Sequence, residues 1–548
     1  MDTNGMNLAT VWEAVAAETP DAPAVAHHGG RSSTWGEFES RAARIAAHLD
    51  SRGVGHDSKV ALYLHNRPEY LEGTFAAFKV RAVPVNVNYR YLTDELRYLL
   101  DNSDAEAVVF HAEFADRLDE VRADLPKLRT FLCVGADDEH PLPDWAEDLE
   151  QVVASTDPMP PIDRSGDDLW FLYTGGTTGM PKGVMWPHRN LLGTTYATFA
   201  IIKAGVPETP EDVAAAARTF QERGKAVRLL PAAPLMHGTS MITAVAVLSA
   251  AGSVVTLPSR SFDGHELCQA VQEHRCTQLT IVGDAFARPI LEALREAKAA
   301  GRPYDLSSLK VIVSSGVMWS KEAKEELLEW CSATLADSLG SSEGVGFASS
   351  VAKRGQPAST ARFSLGEHAR VFTEEGREVE PGSGERGLLA VGGPIPIGYY
   401  KDPDKSAGTF RTFGGRVWSV PGDWATVDSD GTIQLLGRGS ACINTAGEKV
   451  YPEEVEEVLK LHPAVADVNV VGVPDDKWGQ SVTAVVSLVD PAGERPDEAE
   501  LIAHAKSHLA GYKCPKRIVF VDRVQRGPNG KADLRWAART AADALGVS

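Results

Sequence analysis

The chain has no excess of positive charge. Its 55 lysines and arginines stand against 75 acidic residues, a formal net charge of −20. Nucleic-acid binding needs a basic face that neutralises phosphates, so this balance argues against it. An anionic substrate must instead be drawn in by local devices such as helix N-termini and backbone N–H nests. Paired cysteines are missing too. The six cysteines (Cys133, Cys268, Cys276, Cys331, Cys442, Cys514) are scattered, with no C-x-x-C spacing. That distribution fits reduced, buried thiols in a cytoplasmic protein and argues against a disulfide framework or a zinc site. Long apolar runs are also absent. Residues 241–257 form the most apolar segment, but Thr243, Ser249, Gly252, Ser253 and Thr256 interrupt it. It is too short for a membrane span and reads as a buried helix followed by a strand. The opening residues carry neither a basic nor an apolar stretch, so no signal peptide is expected. There is no internal repeat, heptad run or low-complexity tract.

What is present is the composition of an ordinary globular protein, 43% apolar and 24% charged over 548 residues. That length exceeds what one hydrophobic core serves, so two or more domains are expected. Short β-branched or apolar runs at 59–65, 82–88, 107–111 and 309–314 alternate with helical spacings such as 34–49 and 92–100. The alternation predicts an α/β architecture with largely parallel sheets. Residues 366–430 are richer in glycine and proline and predict a small β subdomain. Within them Pro381-Gly-Ser-Gly-Glu-Arg-Gly387 matches G-x-G-x-x-G, but a strand rather than a helix follows. It is read as a turn, not a dinucleotide site. After Leu436 the pattern becomes α+β, with a helix over 452–461 and strands over 468–473 and 482–489. This tail is long enough for a domain of its own.

The densest chemical signal is Tyr173-Thr-Gly-Gly-Thr-Thr-Gly-Met-Pro-Lys-Gly-Val184, with four glycines, three threonines and a lysine in twelve residues. Glycines let the backbone approach a ligand, and successive N–H groups form an anion-binding nest. Threonine hydroxyls add neutral donors and Lys182 a positive point charge. This is equipment for a polyphosphate. It differs from the G-x-x-x-x-G-K-[ST] loop, because Pro181 precedes Lys182. The pattern resembles instead the phosphate loop of adenylate-forming enzymes, the superfamily of acyl-CoA synthetases, peptide-synthetase adenylation domains and firefly-type luciferases.

Further segments resemble that superfamily in the expected order, from about residue 10 to 540. They are Pro234-Leu-Met-His-Gly238, Ser314-Ser-Gly-Val-Met318, Gly340-Ser-Ser-Glu343, Trp418-Ser-Val-Pro-Gly-Asp423, Gly437-Arg-Gly-Ser440 with the loop after it, and Gly527-Pro-Asn-Gly-Lys531. The resemblance implies a large N-terminal adenylation domain of αβ-layered sheets plus a small β subdomain over 1–436. A hinge at 437–440 with Ser440 as pivot, and a mobile α+β C-terminal domain over 441–548, complete the expectation.

It also assigns roles. Thr174, Gly175, Gly176, Thr177, Thr178, Gly179 and Lys182 hold the β- and γ-phosphates of ATP. Ser315, Gly316, Val317, Leu339, Gly340, Ser341 and Ser342 border the adenine, with Gly316 and Gly340 also near the acyl group. Glu343, with Thr174, holds Mg²⁺, for which a carboxylate is the right kind of ligand. Asp423 accepts from the ribose hydroxyls and Arg438 faces the ribose and phosphates. Lys531 reaches the reacting carboxylate and α-phosphate, where a pre-placed cation stabilises shifting negative charge. Gly447 lines the pantetheine tunnel of coenzyme A. His237 either gates the acyl pocket or is a packed histidine near a strand end, and residues 241–255 line an acyl tunnel or form core. Three positions depart from the pattern: Leu339 stands where an aromatic is common, Gly175 where serine is, and Ser440 where aspartate or lysine is.

The activity implied is that of an acyl-CoA synthetase using a carboxylic acid, ATP, Mg²⁺ and coenzyme A, compatible with a homodimer and with peripheral membrane contact. The run Gly-Arg-Gly-Ser-x-x-Ile-Asn-Thr-x-Gly-Glu-Lys-Val resembles actinobacterial enzymes acting on long-chain or steroid side-chain carboxylates. Other readings are an acyl-AMP ligase serving a carrier protein, an aryl-acid CoA ligase, a luciferase-like oxidative enzyme, and an inactive scaffold. The charged residues Lys182, Glu343, Asp423, Arg438 and Lys531 occurring together argue against the last.

Overall fold

The apolar runs read as strands pair in the computed structural model. It describes residues 6–174, 180–316, 319–356, 362–438, 443–445, 448–475, 479–490, 495–509, 511–527 and 532–547. The chain divides into two compact units, one of residues 1–360, 391–412 and 416–419, the other of 361–390, 413–415 and 420–548.

The first unit carries two sheets of similar design. One runs in the order Ser32–Thr34, Pro23–His27, Ser253–Thr256, Arg228–Pro231, Gln278–Ile281, Val311–Ser315, Thr334–Ser341, Gly344–Ala352. The other runs Gly398–Tyr399, Lys182–Pro187, Leu169–Thr174, Val83–Asn86, Lys59–Tyr63, Ala105–His111, Thr130–Val134, Glu147–Asp148. Each has a parallel body, and each ends in an antiparallel hairpin, 334–341 with 344–352 and 169–174 with 182–187. The α/β expectation is borne out, and the two hairpins turn out to carry the loops singled out from the sequence.

Helices cover the parallel strands. Helix Trp35–Ser51 starts at Thr34, whose hydroxyl accepts from Glu37 N while the Glu37 carboxylate accepts from Thr34 N. This reciprocal capping satisfies two donors that the first helical turn leaves open. Helix Pro68–Lys79 is buried along its whole length. Its Gly73 lies against the strands: a Cβ there would stand 3.1 Å from Leu62 Cδ2. Trp12, Phe38, Phe75 and Phe78 form an aromatic knot between the first three helices, with Trp12 and Phe75 edge-to-face at 5.2 Å. Their buried indoles still find partners, Trp12 donating to Ser249 Oγ at 3.1 Å and Trp35 to Gly252 O at 3.2 Å. The segment 241–257 is helix Gly238–Ser249 followed by strand Ser253–Thr256, as its pattern predicts.

The second unit holds the glycine-rich β region and an α+β tail. Strands Arg362–Leu365, Thr432–Arg438, Asp423–Val427 and Arg386–Val391 lie side by side. Gly382 and Gly384 both take positive φ, +79° and +72°, so the G-x-G-x-x-G match is a turn. The tail's sheet pairs Gly479–Leu488 with Val465–Asp475 on one side and Arg517–Phe520 on the other. Helices Pro452–Lys460 and Glu498–Lys506 pack on one face through Val455, Leu459 and Leu501, and helix Leu534–Leu545 packs on the other through Ala537 and Ala541. Among the described residues no helix is long and apolar enough to cross a membrane. Five described cysteines are free and buried.

Candidate active site

The glycine-threonine loop is mounted on a hairpin. Thr174 ends strand Leu169–Thr174 directly opposite Lys182, which begins the next strand. The apolar run ahead of the loop supplies the anchor, with Trp170, Phe171 and Leu172 buried. Gly183 is needed where it stands: a Cβ would come 2.6 Å from the Tyr173 ring. The neck of the loop therefore brings a hydroxyl and an ammonium to one end of the sheet. Lys182 is ion-paired there with Asp402, and the ammonium holds the Asp402 carboxyl below the usual range.

Asn86, which no motif singled out, ties this hairpin to the helix that follows it in space. Its side-chain amide donates to Tyr173 O at 2.8 Å and Met236 O at 2.7 Å, and its oxygen accepts from Tyr173 N at 2.6 Å. Asn66 acts alike on the same turn, accepting from Leu235 N at 2.6 Å and donating to Ala233 O at 3.1 Å. His237 is consequently set as the N-cap residue of helix Gly238–Ser249, beside strand Leu169–Thr174. Gly238 permits that approach, since a Cβ would lie 2.9 Å from Leu172 Cδ2. Met241, Ala244, Val245, Val247 and Leu248 of this helix are core. Ile242, Thr243 and Ala246 form a half-buried face.

The second hairpin presents the candidate metal ligand. Glu343 sits in the turn between Thr334–Ser341 and Gly344–Ala352, its N–H donating to Ser341 Oγ at 3.1 Å. Tyr399 OH donates to Glu343 Oε1 at 2.8 Å, and Trp186 Nε1 donates to Ser342 O at 2.9 Å. Both aromatic donors come from the other sheet, so the turn is held across to the strand that begins with Lys182. Strand Val311–Ser315 runs parallel to the first of these, Ser315 facing Ser338. Gly316 follows at φ +96°, a region that disfavours side chains. A Cβ on Gly340 would stand 3.8 Å from Ser315 Oγ. Ser315, Gly316, Leu339, Gly340, Ser341, Ser342 and Glu343 thus form one lip, with Gly316 and Gly340 exposed. Beneath it a buried ion pair, Lys324 with Asp337 at 3.0 Å, joins helix Lys321–Trp330 to the strand.

In the second unit, antiparallel pairing places Asp423 opposite Arg438. The two ribose-side candidates are therefore neighbours along one ladder. Gly437 takes φ +104°, and a Cβ there would meet the Glu453 carboxylate at 2.1 Å. Glycine alone lets helix Pro452–Lys460 approach this strand. Arg526 bridges Ala532, and its guanidinium forks onto Asp467 at 2.5 and 2.6 Å. Lys460 adds a contact to Asp467 at 2.9 Å. Gly175, Gly176, Thr177, Thr178, Gly179, Val317, Ser440, Gly447 and Lys531 lie outside the described residues.

Burial raises the Asp467 pKa, but Arg526 and Lys460 outweigh it and hold the carboxyl at about 2. A depressed carboxylate stabilises the folded state above its unfolded pKa and loses that contribution as pH falls through the folded value. The chain is expected to lose on the order of 2 kcal/mol between about pH 4 and pH 2 through this group. Urea melts across that range should show Asp467→Asn less stable at neutral pH and lacking this share of the acid sensitivity.

The model of the AMP-binding enzyme matches residues 12–400, and that of the AMP-binding enzyme C-terminal domain matches 454–531. The chain belongs to the AMP-binding enzyme family. This AMP-binding enzyme is 41% identical over 541 residues to a medium/long-chain-fatty-acid–CoA/3-oxocholest-4-en-26-oate–CoA ligase of Mycolicibacterium smegmatis, covering 97% of this chain and 96% of the relative. It is 40% identical to a 3-oxocholest-4-en-26-oate–CoA ligase of Rhodococcus rhodochrous, covering 97% and 95%. The crystal structure of an anthranilate CoA ligase in complex with anthranoyl-AMP shares the fold, with a TM-score of 0.82 and 22% identity over 98% of each chain.

Proposed function

We propose that this AMP-binding enzyme is an ATP-dependent acyl-CoA synthetase, an acid–thiol ligase for a medium- or long-chain fatty acid or a steroid side-chain carboxylate. The observation that carries the reading is its likeness, at 40% identity or more along almost its whole length, to ligases named for those acids. The local geometry supports it, with Thr174 facing Lys182 at a loop neck and Glu343 oriented by Tyr399.

In this reading a carboxylate oxygen of the acid attacks the α-phosphorus of ATP. The bond to the β-phosphate breaks and pyrophosphate leaves. The sulfur of coenzyme A then attacks the acyl carbon, the acyl–oxygen bond breaks, and AMP departs. No protein nucleophile is required, so the chain contributes positioning and charge stabilisation. Thr174, Lys182 and the loop 175–179 take the β- and γ-phosphates. Ser315, Gly316, Val317 and the lip 339–342 border the adenine, Asp423 and Arg438 the ribose, and Lys531 the reacting centre. Gly447 admits pantetheine, and His237 borders the acyl group. The hinge at 437–440 and rotation of 441–548 separate the two half-reactions, a device that gates steps without changing the fold. Free, buried thiols support a cytoplasmic setting.

Mg²⁺ takes oxygen ligands, and Glu343 offers a hard carboxylate whose Oε1 is already fixed by Tyr399. With Thr174 it would hold the ion, which would supply positive charge to offset that of the phosphates. Glu343→Gln is expected to raise the Mg²⁺ concentration for half-maximal rate by at least about tenfold. A Mg²⁺ titration at saturating ATP reads this directly.

The substrate assignment is tested by offering Mg·ATP with acetate, octanoate, palmitate, benzoate and a steroid side-chain acid, with and without coenzyme A. Mass spectrometry should find acyl-AMP alone without the thiol and acyl-CoA with it, for the aliphatic or steroid acids. Acyl-AMP that never passes to coenzyme A would favour a carrier-protein acceptor, and a preference for benzoate would favour an aryl-acid ligase.

A further inference from the structure

We propose that Asp402 is a positioning residue that competes with the nucleotide's phosphates for Lys182 and so sets the affinity for ATP and pyrophosphate. The inference rests on the reading of Lys182 as a phosphate-binding cation.

Lys182 stands at the mouth of the glycine-threonine loop, opposite Thr174. Its ammonium meets Asp402 Oδ2, from a residue 220 positions away in the chain. The carboxylate is held there by groups other than Lys182. Oδ1 accepts from Lys405 N at 3.0 Å and caps helix Pro403–Thr409. The Asp402 carbonyl accepts from Ser406 Oγ at 2.6 Å, and Ser406 Oγ accepts from Tyr399 N at 2.8 Å. The preceding strand, Gly398–Tyr399, pairs with Met185 and Val184 of the strand that Lys182 begins. One carboxylate oxygen is thus committed to a helix and the other is aimed at the lysine.

The strength of the contact suits a competitor. Both side chains are partly exposed, 38% for Lys182 and 28% for Asp402, and ion pairs in such positions are weak and screened by salt. A single carboxylate yields to phosphates that carry several charges, yet it gives the ammonium a place to return to when pyrophosphate leaves. The same short strap sets Tyr399 on Glu343, so one segment holds both groups expected to meet the triphosphate.

Equilibrium binding of Mg·ATP, pyrophosphate and AMP to the full-length enzyme tests this. Asp402→Asn keeps the helix cap and removes the charge, because asparagine caps as well as aspartate. Asp402→Ser does the same with a smaller side chain, should the first variant fail to fold. Either is expected to bind Mg·ATP and pyrophosphate about three- to fivefold more tightly at low ionic strength, with AMP unchanged. The gain should shrink with added salt and vanish in a Lys182→Ala background. General damage to the fold would weaken all three ligands. Asp402 variants that bind Mg·ATP no more tightly than the wild type, while Lys182→Ala binds it at least about tenfold more weakly, would overturn the competition but keep the lysine's role. Unchanged Mg·ATP affinity in Lys182→Ala would overturn the reading of Lys182 and the competition with it.

Discussion

Lys531→Ala is expected to slow acyl-AMP formation by a factor on the order of 10²–10³ or more, the usual effect of removing one donor aimed at transition-state charge. Negative charge shifts from the attacking carboxylate toward pyrophosphate as the α-phosphorus transfers, and a fixed ammonium is worth most at that moment. Thioester formation from supplied acyl-AMP should fall much less, because that step moves charge at the acyl carbon and needs the thiol. Rapid-quench measurement of the two half-reactions separates them, and equal losses in both would remove Lys531 from the adenylation step. The described residues that flank Lys531 in the chain are anchored. Arg526 pairs with Ala532, and its fork onto Asp467 ties Arg526 to strand Val465–Asp475.

The second large effect is on stability. Lys324→Met is expected to destabilise the enzyme by about 3–5 kcal/mol, because it strands the Asp337 carboxylate in the interior. The two side chains are 2% and 8% exposed, and burial already raises the Asp337 pKa despite Lys324. Asp337 also lies on strand Thr334–Ser341, which leads into the lip at Gly340 and the turn at Glu343. Weakening its anchor should therefore loosen the candidate adenine and metal groups as well. Replacing both partners, Lys324→Met with Asp337→Leu, should restore most of the stability, since an apolar pair leaves no unpaired charge. Urea denaturation of the single and double variants measures the difference.

These two sites were not equally legible in the sequence. The glycine-threonine loop, Glu343, Asp423 and Lys531 stand out as candidates because the motifs that suggest their roles are written in adjacent residues. Glycines with positive φ, such as Gly316 and Gly437, belong to the same local grammar. Strands such as Lys59–Tyr63 and Ala105–His111, and the helix and strand within 241–257, follow from apolar periodicity. The groups that hold these candidates in place are different. Asn86 meets Met236 across 150 residues, Tyr399 meets Glu343 across 56, and Asp402 meets Lys182 across 220. Each is an unremarkable asparagine, tyrosine or aspartate whose partner is selected by how sheets pack, and spacing along the chain carries no trace of that choice. The Lys324–Asp337 pair is short in sequence, but a lysine and an aspartate thirteen residues apart read as surface charges until burial is known.

The central claim is that the acid is activated as an acyl adenylate before it meets coenzyme A, and oxygen tracing tests it most directly. The enzyme would be given Mg·ATP, coenzyme A and a fatty acid labelled with ¹⁸O in both carboxylate oxygens, and the products weighed by mass spectrometry. Attack at the α-phosphorus followed by cleavage of the acyl–oxygen bond predicts one ¹⁸O in AMP for each acyl-CoA formed, and none in pyrophosphate. Label appearing in inorganic phosphate, with ADP as the nucleotide product, would mean an acyl phosphate intermediate and contradict the account.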